Sequence, residues 1–115
     1  MGRPVGRGKA LVVGVLARGF AGSAHAAGFA TNEGFSGFAP FDLSVPPPRI
    51  YESALSHLGR KPLVMCHPGY ADDELRSLDP AVESRPAELG YLMSDAFRAL
   101  LDERGIALSP KLPKE

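Results

Sequence analysis

A short apolar run, Leu63-Val64-Met65-Cys66, stops at His67-Pro68-Gly69. The run is strand-like in length and is bounded by turn residues. Pro68 lacks the N–H that a ladder needs, and Gly69 weakens any continuation, so the strand must end there. A chain built around such a strand leaves an imidazole at its carboxyl end, facing a loop. Parallel α/β folds place their chemistry at that edge. His67 therefore has two readings. It is an acid or base at the mouth of a site, or it closes the strand and bonds its own loop.

The rest of the chain is read around this strand. Gly59-Arg60-Lys61-Pro62 is a turn leading into it. Upstream, Phe29 to Phe41 is a Gly/Phe-rich strand-and-loop segment, and residues 9–27 form an Ala-rich helix ended by Gly28. The three consecutive prolines Pro46, Pro47 and Pro48 predict an extended connector over Asp42 to Arg49. Ile50, Ala54, Leu55 and Leu58 then share one face of a short helix. Residues 70–85 read as an irregular, acidic, exposed loop with a helical turn at Asp72 to Leu78. Leu89, Leu92, Met93, Ala96, Phe97, Leu100 and Leu101 recur at helical spacing and predict the strongest helix, over 86–104. Ser84 is its expected N-cap and Gly105 its stop. Ile106 to Leu108 is expected as a last short strand, and residues 109–115 as a flexible tail.

Strand, loop and long helix in that order make one β/α unit of a parallel sheet. Two confident strands cannot close a barrel. The expected fold is therefore α/β, a partial (β/α)-barrel-like fragment with few strands and a long C-terminal amphipathic helix. Residues 1–115 are expected to form a single incomplete domain. Its unpaired strand edges and uncovered apolar helix face are open to self-association.

Composition removes several functions. Thirteen basic and thirteen acidic residues cancel, which argues against a nucleic-acid partner. The single cysteine, Cys66, excludes an internal disulfide. No apolar stretch approaches the length of a membrane span. The N-terminus carries Arg3, Arg7 and Lys9 before the apolar stretch Ala10 to Ala17, and Ala24-His25-Ala26 has the small-x-small form of a cleavage site. Arg18 interrupts the apolar stretch early and the segment behind it is Gly-rich, so a helix in a cytoplasmic protein is expected. Export with cleavage after Ala26 is the alternative.

Few other residues suggest chemistry. Cys66 and His67 are neighbours on a strand, so their side chains point to opposite faces and cannot form a dyad. Cys66 is expected to pack inward with Val64. Asp72, Asp73 and Glu74 carry the oxygens for a hard cation, but such clusters more often cap a helix, which is the favoured reading. Asn32, Glu33 and Gly34 sit among Phe29, Phe35, Phe38 and Phe41. That mixture suits sugar binding, and equally suits a glycine turn pinned into the core. His25 and His57 read as surface residues. P-loop, paired-cysteine and nucleophile-elbow patterns are absent from the sequence.

The run Met65-Cys66-His67-Pro68-Gly69-Tyr70, then Asp73-Glu74-Leu75, Leu78-Asp79-Pro80 and Glu83-Ser84-Arg85, resembles the C-terminal half of the YdjC-like carbohydrate deacetylases. These include chitooligosaccharide deacetylase and the hopanoid-biosynthesis-associated enzymes. The segment Ala27 to Gly37 resembles the hopanoid-associated branch in particular, and the likeness extends over residues 10–108. It implies a distorted TIM-like barrel and hydrolysis of the N-acetyl group of an amino sugar or glycolipid. It also implies a divalent metal, magnesium or zinc, that polarises the amide and activates water. His67 matches the family's strand-end histidine and is the candidate catalytic acid, with Asn32 and Glu33 as candidate substrate contacts. The Asp-Asp-Phe-Gly metal motif of the family has no counterpart here, and Ala71-Asp72-Asp73 is followed by Glu74-Leu75 instead. The expectation is a fragment that binds no metal and is inactive alone. The alternative is a non-catalytic binding or assembly module in which His67 is structural.

Overall fold

The computed structural model describes residues 7–41, 43–79 and 82–111. Six helices and two strands follow in the order α1 (Arg7–Leu16), α2 (Phe20–Ala26), β1 (Phe35–Ser36), α3 (Pro47–Ala54), β2 (Leu63–Val64), α4 (Asp73–Leu78), α5 (Ser84–Leu92) and α6 (Asp95–Glu103). The two strands pair in parallel, Phe35 with Leu63 and Ser36 with Val64. This is a mixed α/β arrangement whose sheet is open among the described residues.

Several elements differ from expectation for local reasons. The helix expected over 9–27 is broken into α1 and α2, because Gly19 takes a left-handed conformation between them. The end at Gly28 is as predicted. Gly28 N–H donates to the His25 carbonyl and Phe29 N–H to that of Ala24, with Gly28 at φ 83°. The expected proline connector is shorter than Asp42 to Arg49. Pro46 is extended, and Pro47 and Pro48 open α3 as its first residues. Proline is tolerated there, since the first helical N–H groups have no intrahelical acceptor. Helix α3 accordingly runs over 47–54 rather than 50–58. Asp42 lies outside the described residues, as do Met1 to Gly6, Pro80, Ala81 and Leu112 to Glu115.

The long C-terminal helix is likewise two helices. Ser94 is extended (φ −87°, ψ 157°), and its hydroxyl accepts from Phe97 N–H at 3.2 Å while donating to the Tyr91 carbonyl at 2.6 Å. A serine that caps the next helix competes with continuation of the previous one. The break turns Met93 out to solvent, although its spacing places it on the apolar face. Glu83, not Ser84, is the N-cap of α5. Gly105 ends α6 as expected, at φ 62°. Ile106 to Leu108 is not a strand. Ile106 instead returns over the core, and its N–H donates to the Leu101 carbonyl.

The core lies between α3, α5 and α6. Tyr51, Leu55 and Leu101 are its buried residues, and Ile50, Leu58, Val64, Tyr91, Leu92, Phe97 and Leu100 pack around them. The rings of Tyr51, Tyr91 and Phe97 contact one another at 5.3–5.7 Å between centroids. Arg104 Nη1 donates to the Glu52 carbonyl at 2.9 Å and ties the end of α6 to α3. By contrast, α1 leaves Leu11, Val12, Val13, Val15 and Leu16 exposed. No helix among the described residues is long and apolar enough to cross a membrane.

Candidate functional site

The parallel pairing sets where the site can form. Glu33 N–H donates to the Lys61 carbonyl, Leu63 N–H to that of Gly34, and Met65 N–H to that of Ser36. The ladder then stops, so His67 stands past the carboxyl end of β2. Ser36 Oγ donates to the Ala54 carbonyl at 3.0 Å and holds β1 against the end of α3. At the exit from β1 the chain must pass very close to β2. Gly37 adopts φ 99°, and a Cβ there would overlap the Met65 carbonyl oxygen. Only glycine meets both demands.

The loop that carries His67 is pinned at two points. His67 N–H donates to Glu88 Oε2 at 3.1 Å, and Gly69 N–H donates to the Arg85 carbonyl at 3.3 Å. Both acceptors belong to the first turns of α5. The imidazole stands edge-on to Phe41, with centroids 4.7 Å apart. The Arg85 guanidinium lies 5.9 Å from the centre of the same ring, and its Nη2 reaches Asp79 Oδ2 at 3.4 Å. A cation over a ring face and an imidazole at that ring fix Phe41 between them.

His67, Phe41, Ser84 and Glu88 line one open cleft with Leu43 and Ile50, and its internal space is about 20 Å³. That is room for about one water-sized group. His67 is half-buried and lies in the wall of this cleft. Asn32 and Glu33 do not line it. They precede β1, at the opposite end of the sheet, where the Asn32 side-chain amide donates to the Gly34 carbonyl at 2.8 Å and Glu33 is exposed.

Glu88 is the member of this cluster that its sequence position failed to advertise. Its second oxygen accepts from the Tyr51 hydroxyl at 2.5 Å. Tyr51 is 3% exposed. Its burial, followed by the bond to Glu88 and that carboxylate's charge, pushes the phenol far above its ordinary range. A signal for Glu88 did exist, because it shares a helix face with Tyr91 and Leu92, three and four residues on, and so points a carboxylate towards the core.

Cys66 corrects an expectation. The residue is exposed rather than packed inward with Val64. Partial burial of its thiol and the Glu88 charge nevertheless push its pKa up, against an opposing bond with Tyr51. A thiol held protonated is a poor nucleophile. Iodoacetamide is therefore expected to label Cys66 more slowly at pH 8 than it labels a free cysteine peptide. Labelling as fast as the peptide would contradict that account.

The acidic cluster caps a helix, as favoured. Asp72 Oδ1 accepts from Leu75 N–H at 2.8 Å at the start of α4, and Asp73 reaches Arg76 at 3.7 Å. Among the described residues, no three His, Cys, Asp or Glu side chains converge as a metal-binding group. Both Glu88 oxygens are engaged within the fold. The divalent ion implied by the resemblance thus has no fitting donor set in the described residues. What they present is one imidazole at an open cleft, able to carry a proton.

Comparison with curated proteins and with solved structures returned no match. A family model, that of YdjC-like protein, matches residues 4–103. That span takes in both strands, the His67 loop, α5 and α6. With most of its length matched, this chain belongs to the YdjC-like protein family, a carbohydrate deacetylase-like family.

Proposed function

We propose that this chain supplies the leaving-group side of a carbohydrate N-deacetylase site, with His67 as the proton donor. The observation that carries the reading is the placement of His67, past the end of a parallel strand and in the wall of a cleft. In amide hydrolysis the water oxygen bonds to the carbonyl carbon and the C–N pair leaves on nitrogen. That nitrogen must gain a proton as it departs. An imidazole suits this transfer because it holds and releases a proton near neutral pH. The products are acetate and the free amine. A cleft of about 20 Å³ admits about one small group, so most of the acetamido arm and the sugar ring rest outside it.

Activation of the water falls to groups beyond this cleft, so the chain acts with a complementary segment as part of a barrel-like whole. The substrate class is an N-acetylated amino sugar or a glycolipid bearing one. The segment Ala27 to Gly37 favours the hopanoid-associated branch. Asn32 and Glu33 receive no role in this reading, since they lie at the far end of the strands.

Titration of the isotope-labelled chain with an N-acetylated chitooligosaccharide tests the proposal. The ring signals of His67 and Phe41 are expected to shift, and those of Asn32 and Glu33 to stay. Spectra unchanged at His67 across millimolar sugar would overturn it. Acetate release by the chain alone, with zinc or magnesium added, is expected to be nil. Metal-dependent turnover would show that the activating groups lie within this chain.

One observation favours a second reading, that of an assembly module. From Ala10 to Leu16 helix α1 carries no polar side chain, and Leu11 and Leu16 are 71% and 81% exposed. A helix of that kind is ordinarily covered. Under this reading His67 is structural and does not respond to sugar.

A further inference from the structure

We propose that Glu88, oriented by Tyr51, is the positioning residue of His67. The inference rests on the deacetylase reading for its purpose, and on geometry alone for its existence. Three separate segments meet at this one carboxylate. Tyr51 comes from the middle of α3, Glu88 from α5 and His67 from the loop after β2. Oε1 takes the Tyr51 hydroxyl at 2.5 Å and Oε2 takes His67 N–H at 3.1 Å.

The physical need is plain. His67 lies beyond the last ladder bond, in a Pro-Gly loop that no sheet restrains. Its peptide N–H has no strand partner, and its imidazole must still stay beside Phe41 in the cleft wall. A carboxylate supplies a stronger acceptor than a neutral carbonyl. Tyr51 is immobilised by the core, so its hydroxyl fixes the rotamer of Glu88 in turn. The core position of Tyr51 is thereby transmitted to the imidazole through two hydrogen bonds. Such support distinguishes a held catalytic group from one that samples several positions.

Nuclear magnetic resonance of the full chain tests this through the His67 amide and its ring contact with Phe41. In Glu88→Ala the amide proton is expected to move upfield, its exchange with solvent to rise about tenfold, and the His67–Phe41 contact to weaken. Glu88→Gln is expected to rescue most of this. Its side-chain oxygen accepts from His67 N–H while its nitrogen donates to the Tyr51 oxygen. Tyr51→Phe frees one oxygen of Glu88 and is expected to fall between the two. Amide protection in α6 serves as the control that each variant is folded. A folded Glu88→Ala chain with the His67 amide and ring contact unchanged overturns the proposal. So does a Glu88→Gln chain as perturbed as Glu88→Ala. Sugar titration of the same samples keeps the two readings apart. If the unsubstituted chain ignores the sugar while the amide still follows Glu88, the deacetylase reading fails and the positioning role stands.

Discussion

Tyr51→Ala is expected to unfold most of the chain at 25 °C. Tyr51 is 3% exposed and contacts both Tyr91 and Phe97 edge-on or tilted, so three helices lose their common centre at once. Truncating a buried aromatic to alanine costs about 3–5 kcal/mol. Glu88 would also lose the partner of one oxygen in a half-buried site. Small domains have only about 5–15 kcal/mol in total. The core here is small, with three buried residues at its centre among those described, so the lower end of that range applies. Tyr51→Phe keeps the rings and loses one hydrogen bond, for about 1–2 kcal/mol. Urea unfolding followed by far-ultraviolet circular dichroism checks both. An alanine variant with a midpoint near that of the unsubstituted chain would mean that α3, α5 and α6 do not share this core.

Gly37→Ala is the second large effect, and Gly34→Ala is its control. Both glycines have nearly the same backbone, φ 99° and φ 98°. A left-handed conformation costs a non-glycine residue about 1–2 kcal/mol. At Gly34 nothing lies within 4 Å of an added Cβ, so that cost is the whole expectation. At Gly37 the Cβ would overlap the Met65 carbonyl oxygen and meet the Met65 nitrogen at 2.8 Å. These are backbone atoms two residues before His67, and they cannot rotate away. Relief requires the strands to part. Overpacking of that kind adds about 1–3 kcal/mol. The Gly37 variant is expected to melt well below the Gly34 variant, and to lose the Phe41–His67 ring contact. Equal melting temperatures for the two would show that the strands do not approach as described.

The residues that break periodicity are the most legible. Gly28 and Gly105 do end helices, and Asp72 does cap α4, because each acts through its own backbone or its nearest neighbours, whereas β2 stops at Val64, ahead of the expected break at Pro68 and Gly69. The departures share one cause. Ser94 and Gly19 each divide a helix that hydropathy presents as continuous, because apolar spacing carries no information on capping or backbone handedness. Consecutive prolines suggest an extended chain, although the first turn of a helix admits Pro47 and Pro48 equally well. Cys66 turns outward because β2 ends at Val64, before alternation can place it.

The site divides along the same line. His67 can be picked out because a strand-breaking dipeptide beside an imidazole is a contiguous pattern of three residues. Its partners form no such contiguous pattern with it. Phe41, Tyr51 and Glu88 reach it from 26, 16 and 21 residues away along the chain, and only the packing of α3 and α5 against the end of β2 brings them together. Asn32 and Glu33 show the converse, since their aromatic surroundings single them out in the sequence while the parallel register sets them at the end of the strands opposite His67. Local chemistry is encoded residue by residue, whereas adjacency across the chain follows from burying apolar faces together, and linear order does not specify that.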